Sequence, residues 1–331
     1  MVVLKYTKFG RQMNYNYYKS DILVQPVFIT GAKSSGKSLI YSFIKSYASI
    51  EGVCKDFFVN HLLQLNASGE ISNRVVDVQL KFFLDFKYYE SVIGRNLNSR
   101  VGDETSIWNS PHVKRDFTKL FSARGIGVAT DISSRTKSYL IDSHNLLLYT
   151  ETLDRIYKDY YLINVTRSPA SILTSWVRDE FYADKVLRSK LSQTLCVETS
   201  DGLVPLLLPP SERIRFVKSD LSNRCAIVFF HVHAQAMKAQ HRLRKSSNVL
   251  NISFEKALLA PHETYDRISK YLSHAAYENI CDTYRQENVP RSWSFENELI
   301  KLKDLKSMLS VTNFTILHDF FDIWAEQNGY G

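Results

Sequence analysis

Cysteine is scarce. Cys54, Cys196, Cys225 and Cys281 stand far apart, with no C-x-x-C spacing among them. Metal sites and disulfide frameworks draw their cysteines in regular sets, so a structural zinc site and a stapled scaffold are both excluded. Such sparse thiol use fits a reducing compartment. Long hydrophobic runs are also missing. The run at residues 22–29 is far too short to span a bilayer. The opening stretch MVVLKYTKFGRQMNYNYY contains no apolar h-region, so no secretory signal is expected. Internal repeats and low-complexity tracts do not stand out. These absences lead us to expect a soluble, cytoplasmic protein with no transmembrane segment, unless the sequence is a trimmed lumenal domain.

The 331 residues are 44% hydrophobic, enough to bury a full core in a single domain spanning 1–331. Lys and Arg number 42 against 34 Asp and Glu, a formal charge of +8. That excess favours anionic ligands. From charge alone, nucleic acid, an acidic glycan and a multiply phosphorylated nucleotide all stay open.

Strand patterns alternate with helical ones. Residues 27–30, VFIT, form a short apolar strand, and Leu39, Ile40, Phe43, Ile44 and Tyr47 then recur at helical spacing. A second unit lies in DYYLINVTRSPASILTSWVR. Residues 160–165 read as a strand, Thr166 and Arg167 as a turn, Ser168 as an N-cap and Pro169 as the first helical residue. A third unit covers 248–272, with a strand at 249–254 and a helix after Pro261. A long helix is expected over 222–244 and a last one over 315–330, capped near Gly329. Residues 179–220 read as an irregular, partly helical insertion on the acceptor side. The fold expected is α/β: a central, mostly parallel sheet flanked by helices, a P-loop NTPase-like three-layer sandwich with helical insertions.

Between the first strand and its helix lies GAKSSGKS, Gly31 to Ser38, which fits G-x-x-x-x-G-K-[ST] at every fixed position. A loop in this place presents backbone N–H groups, and the following helix adds positive charge at its N-terminus. Gly31 and Gly36 let the backbone wrap a phosphate. Lys33 and Lys37 supply charge, and Ser34, Ser35 and Ser38 supply hydroxyls. An ATP site of this type also needs an acid on a neighbouring strand to hold Mg²⁺ beside the Ser38 position. Asp131, after IGVAT, is the candidate; the alternative for it is a helix or turn cap.

Arg167 and Ser175 point to a second anion. The arginine leaves the end of a strand, and the serine follows eight residues later on the next helix, with Ser171 one turn earlier on the same face. A guanidinium and a hydroxyl so placed converge on one phosphate.

Here the chain resembles the sulfotransferases that use 3′-phosphoadenosine 5′-phosphosulfate (PAPS). KSSGKS at 33–38 is similar to that family's P-[KR]-S-G-T-[ST] loop. RSPASILTS at 167–175 is similar to its R-x-P strand end with a serine eight residues on. TKSYL at 136–140, Glu255 and Pro261 in the 248–272 stretch, and the closing WAEQNGY match further blocks. Two positions depart from the pattern. Ser34 stands where the family has a basic residue, with Lys33 one place earlier, and Lys37 replaces a threonine. A basic, glycine-rich loop over the nucleotide is not evident, and PRSW at 290–293, with Arg291, is the nearest candidate.

The resemblance implies an enzyme that moves a sulfuryl group from PAPS to a hydroxyl or amine and releases 3′,5′-ADP, with no metal. Lys33, Ser34, Ser35, Gly36, Lys37, Ser38, Arg167 and Ser175 would hold the nucleotide, and Lys33 or Lys37 would polarise the bridging oxygen. As general base it implies Asp56 first, then His61, then Glu51. In another branch of the family a histidine before the arginine strand serves, with His112 and His144 as alternatives here. The acceptor stays open among carbohydrate, peptide, lipid and small metabolite; nucleic acid is not expected as a partner. A P-loop kinase or NTPase acting on ATP·Mg²⁺ is the competing expectation, and a nucleotide-binding scaffold without activity a third. His231 and His233 stand two apart on one helix and make a poor metal pair. HRLRK at 241–245 reads as a solvated helix end, and Trp176 and Trp324 as core.

Overall fold

The computed structural model describes residues 25–47, 50–54, 57–95, 97–103, 106–110, 112–122, 138–190, 192–243, 249–273 and 280–330. Its strands are β1 (Val27–Thr30), β2 (Ile50–Cys54), β3 (Ser138–Asp142), β4 (Tyr161–Thr166), β5 (Cys196–Thr199), β6 (Gly202–Pro205) and β7 (Val249–Ser253). Its helices are α1 (Lys37–Lys45), α2 (Phe57–Ala67), α3 (Asn73–Val92), α4 (Val113–Ser122), α5 (Thr150–Ile156), α6 (Pro169–Arg178), α7 (Asp184–Leu187), α8 (Pro210–Lys218), α9 (Leu221–Leu243), α10 (Phe254–Leu259), α11 (Pro261–Leu272), α12 (Ile280–Gln286), α13 (Phe295–Met308) and α14 (Val311–Asn328).

Five strands form one sheet in the order β2-β3-β1-β4-β7, and every neighbouring pair is parallel. The strands are apolar almost throughout because both faces are covered. Successive side chains take opposite faces. Val27 and Ile29 join Leu140, Ile163 and Val165 in a core with α1, α10 and α11. Phe28 joins Tyr139, Ile141 and Leu162 in a second core with α2, α3 and α5. A third core, largely helical, gathers Trp176, Phe216, Phe229, Phe321 and Trp324.

The chain runs from β1 out to β2 and β3, then crosses to β4 on the other side of β1. The carboxyl end of β1 is therefore a topological switch point, where open α/β sheets bind ligands.

The expected insertion at 179–220 holds α7, the antiparallel hairpin β5–β6 and α8. The last helix starts earlier than expected, because Ser310 caps it by accepting from Asn313 N. Trp176 and Trp324 are both core residues. Among the described residues, no helix is long and apolar enough to cross a membrane.

Candidate functional site

Thr30 ends β1, and the loop begins at Gly31, with φ +149°. A Cβ there would collide with the Val165 carbonyl and the Ser35 hydroxyl. Gly36 caps α1 in the left-handed region, and a Cβ on it would enter the Phe254 ring. Ser34 is also left-handed, with φ 65°. Two of the loop's turns thus require the glycines that the motif supplies. The Ser35 hydroxyl is buried and has no hydrogen-bond partner among the described residues.

Lys37 is the first residue of α1, and its side chain is buried. Its ammonium lies 3.2 Å from the Ala32 carbonyl and 2.6 Å from His144 Nδ1. A cation at a helix N-terminus, with no acidic residue in the first turn, sits on the positive end of the helix dipole. The cradle, the buried hydroxyl and this concentrated positive charge together fit a phosphate-type anion.

His144 reaches the loop because β3 lies beside β1. Ile29 pairs with Asp142, Ser143 N donates to the Ile29 carbonyl at 3.1 Å, and Asn145 N donates to the Gly31 carbonyl at 3.2 Å. Leu146 N donates to Thr30 Oγ1 at 2.7 Å. Asn60 on α2 donates to the His144 carbonyl at 3.1 Å. A lysine ammonium only donates, so the His144 Nδ1 accepts and the ring proton stands on Nε2.

Arg167 follows β4, and its Nη1 donates to the Ser34 carbonyl at 2.9 Å. The guanidinium carbon sits 4.7 Å from the centre of the Phe254 ring, the ring that also abuts Gly36. Burial holds the Arg167 pKa below its ordinary value; Glu255 and Glu298 oppose that shift, and Arg291 and Arg178 add to it. Both carboxylates are buried and committed to the start of α6. Glu255 accepts from Ser168 N at 2.8 Å and from the Ser253 hydroxyl at 2.9 Å. Glu298 accepts from the Ser171 hydroxyl at 2.8 Å and from Lys301 at 2.7 Å. Ser168 caps α6, with Pro169 in its first turn. Ser175 is half-buried two turns into the same helix. Ser171 serves the Glu298–Lys301 cluster.

The other sequence candidates fall elsewhere. Lys33 is half-buried, its ammonium 3.6 Å from the centre of the Phe181 ring, and desolvation lowers its pKa. Ser38 is exposed on α1. His61 Nε2 meets the Gln193 carbonyl at 2.9 Å. Glu51 lies near the opposite end of the strands, paired with Lys119 at 2.5 Å. His112 meets the Ser46 carbonyl at 2.8 Å, near the far end of α1. Asp56, Asp131, Thr136 and Lys137 lie outside the described residues. Among the described candidate bases, His144 contacts the loop lysine.

The sequence reasoning missed Asp142, which ends the strand next to β1. Its signal was the apolar-then-acid run YLID, hidden because TKSYL was matched as a block of its own.

No family model matches the chain, and no curated protein matches it. Among solved structures, it is similar to a sulfotransferase domain from the Synechococcus PCC 7002 olefin synthase, at 12% identity over 79% of this chain and 78% of that one, with a TM-score of 0.40. It is similar to sulfotransferase STF9 from Mycobacterium avium, at 10% identity over 88% and 79%, with a TM-score of 0.41. It is also similar to a sulfotransferase from Alicyclobacillus acidocaldarius, at 15% identity over 90% and 96%, with a TM-score of 0.39. Likeness this remote does not carry activity from one chain to another.

Proposed function

We propose that the protein is a sulfotransferase that moves a sulfuryl group from PAPS to an acceptor hydroxyl or amine and releases 3′,5′-ADP. The observation that carries this reading is the meeting of two cations on one loop. Lys37, which opens α1, contacts His144, and Arg167, which follows β4, donates to the Ser34 carbonyl. A nucleotide with phosphates at both its 5′ and 3′ positions matches two such anion sites, whereas a linear triphosphate has its phosphates on one chain.

The donor, when bound, supplies an activated sulfuryl group on a good leaving oxygen. Lys37 and the first N–H groups of α1 hold the 5′ end and stabilise the charge that develops there. Arg167, with Ser175 on the following helix, holds the 3′-phosphate. As Lys37 turns from His144 to the anion, the Nδ1 lone pair becomes available. His144 then takes the acceptor proton as general base.

Asp142 favours a second reading. It stands where a P-loop kinase or NTPase keeps its Mg²⁺-binding acid, and the loop carries a full GKS. Thermal unfolding separates the two. Stabilisation by 3′,5′-ADP and not by ATP·Mg²⁺ is the expected result, and the reverse would establish the kinase reading.

A further inference from the structure

A cleft of about 620 Å³ lies beside the site. Its walls come from the end of α2, residues 147–151, residues 206–213 and α9. Leu147, three residues after His144, also lines the cavity that contains Gly31 and Arg167, so the cleft and the loop share a wall.

Among the described residues, three cations line the cleft against one acid. Arg242 is bound to Glu151 and donates to Thr150 Oγ1 at 3.0 Å. Arg213 is anchored by Nε to the Leu208 carbonyl at 3.2 Å, and Lys238 is exposed on α9. With Glu151 matched by Arg242, two positive charges remain.

Gln64, on the α2 wall, adds an independent sign. The residue is only 8% exposed, and its Oε1 is buried with no hydrogen-bond partner among the described residues. Its Nε2 donates to Asn60 Oδ1, and Asn60 donates to the His144 carbonyl. A chain of amides thus runs from the cleft-lining Gln64 to the backbone of the proposed base. A buried acceptor of this kind costs free energy until a donor arrives, and an incoming hydroxyl is one.

We propose that this cleft binds the acceptor, and that the acceptor is a polyhydroxylated anion, an acidic oligosaccharide. The proposal rests on the sulfuryl-transfer reading above. The volume lies within the ~300–1,000 Å³ of small-molecule sites. Hydroxyls satisfy Gln64, and Arg213 and Lys238 take carboxylate or sulfate groups. The Leu206–Leu208 and Pro209 wall covers the apolar faces of the sugar rings. In the transfer, the acceptor oxygen bonds to sulfur, its proton passes to His144, and the leaving oxygen keeps the bonding pair on 3′,5′-ADP.

The test is calorimetric titration of the full chain, first with 3′,5′-ADP and then, in the saturated protein, with tetragalacturonate or with neutral maltotetraose. Tetragalacturonate is expected to bind at least about tenfold more tightly than maltotetraose. Lys238→Glu should weaken it about tenfold, Gln64→Leu should weaken it severalfold, and Lys303→Glu on α13, outside the cleft, should leave it unchanged. Equal binding of the two sugars overturns the proposal. So do equal losses in Lys238→Glu and Lys303→Glu, which would show general attraction to a basic protein. Failure of 3′,5′-ADP itself to bind removes the transfer reading, and the acceptor assignment falls with it. Nucleotide binding without the cleft effects removes the acceptor assignment alone.

Discussion

The two ends of the sheet both concentrate charge, but they dispose of it differently. At the amino end, Lys119 and Arg115 face Glu51 and Asp116, with Lys119 2.5 Å from Glu51 and 3.9 Å from Asp116. Arg115 lies 3.4 Å from Asp116, and the Ser110 hydroxyl donates to Asp116 at 2.6 Å. Cations and carboxylates are matched two for two. At the carboxyl end, Lys37 meets the Ala32 carbonyl and His144, and Arg167 donates to the Ser34 carbonyl. Of the carboxylates there, Glu255 and Glu298 are committed to the start of α6, and Asp142 ends β3 beside β1. A cation held by a full negative charge is structural. A cation held by carbonyl dipoles exchanges them for an anionic ligand at little cost. The contrast supports the proposal that the anion sites lie at the carboxyl end.

Substitutions at each end sharpen the contrast. The largest effect is expected for His144→Gln, which should lower turnover by about 10²- to 10⁴-fold with little change in 3′,5′-ADP affinity. Steady-state kinetics beside calorimetry checks this, and near-normal turnover would return the base to Asp56 or His61. At the other end, Lys119→Met leaves Glu51 half-compensated. It should cost about 1–3 kcal/mol of stability in denaturant unfolding and leave nucleotide affinity untouched. A loss of binding there would erase the distinction between the two ends.

A smaller effect concerns His233, stacked at 5.3 Å on Phe229, a residue of the third core. Burial pushes its pKa down from 6.5 to about 4. The folded state therefore holds the ring neutral while the unfolded chain takes up a proton. Its contribution to stability is intact above about pH 6.5 and is lost as pH falls towards 4. His233→Gln should flatten the fall of Tm across that window by a few degrees (~3–6 °C). An unchanged slope would mean that other groups set the acid limit.

The proposed binding end was partly legible in the sequence. The glycine loop after β1 was, because its signal is local: an apolar strand, two glycines at fixed spacing and a helix. So was the Arg167 turn, where Ser168 and Pro169 announce a helix start. The partnership of Lys37 and His144 was not. The two are 107 residues apart in the chain and meet because β3 lies beside β1, a pairing that no spacing rule encodes. With β3 unrecognised, Asp142 lacks its context, and His144 ranks behind Asp56, His61 and Glu51, which lie closer to the loop in sequence. Glu51 illustrates the error: it is near α1 along the chain, yet it belongs to the opposite end of the sheet.

The central claim is that two anion sites share one loop. Calorimetric titration of 3′,5′-ADP and 5′-AMP into the wild-type protein and into Arg167→Ala tests it most directly. The account predicts that 3′,5′-ADP binds more tightly than 5′-AMP in the wild type, and that Arg167→Ala weakens 3′,5′-ADP by about 10- to 100-fold while barely changing 5′-AMP. Equal losses for both nucleotides, or no preference for the 3′-phosphate in the wild type, would contradict it.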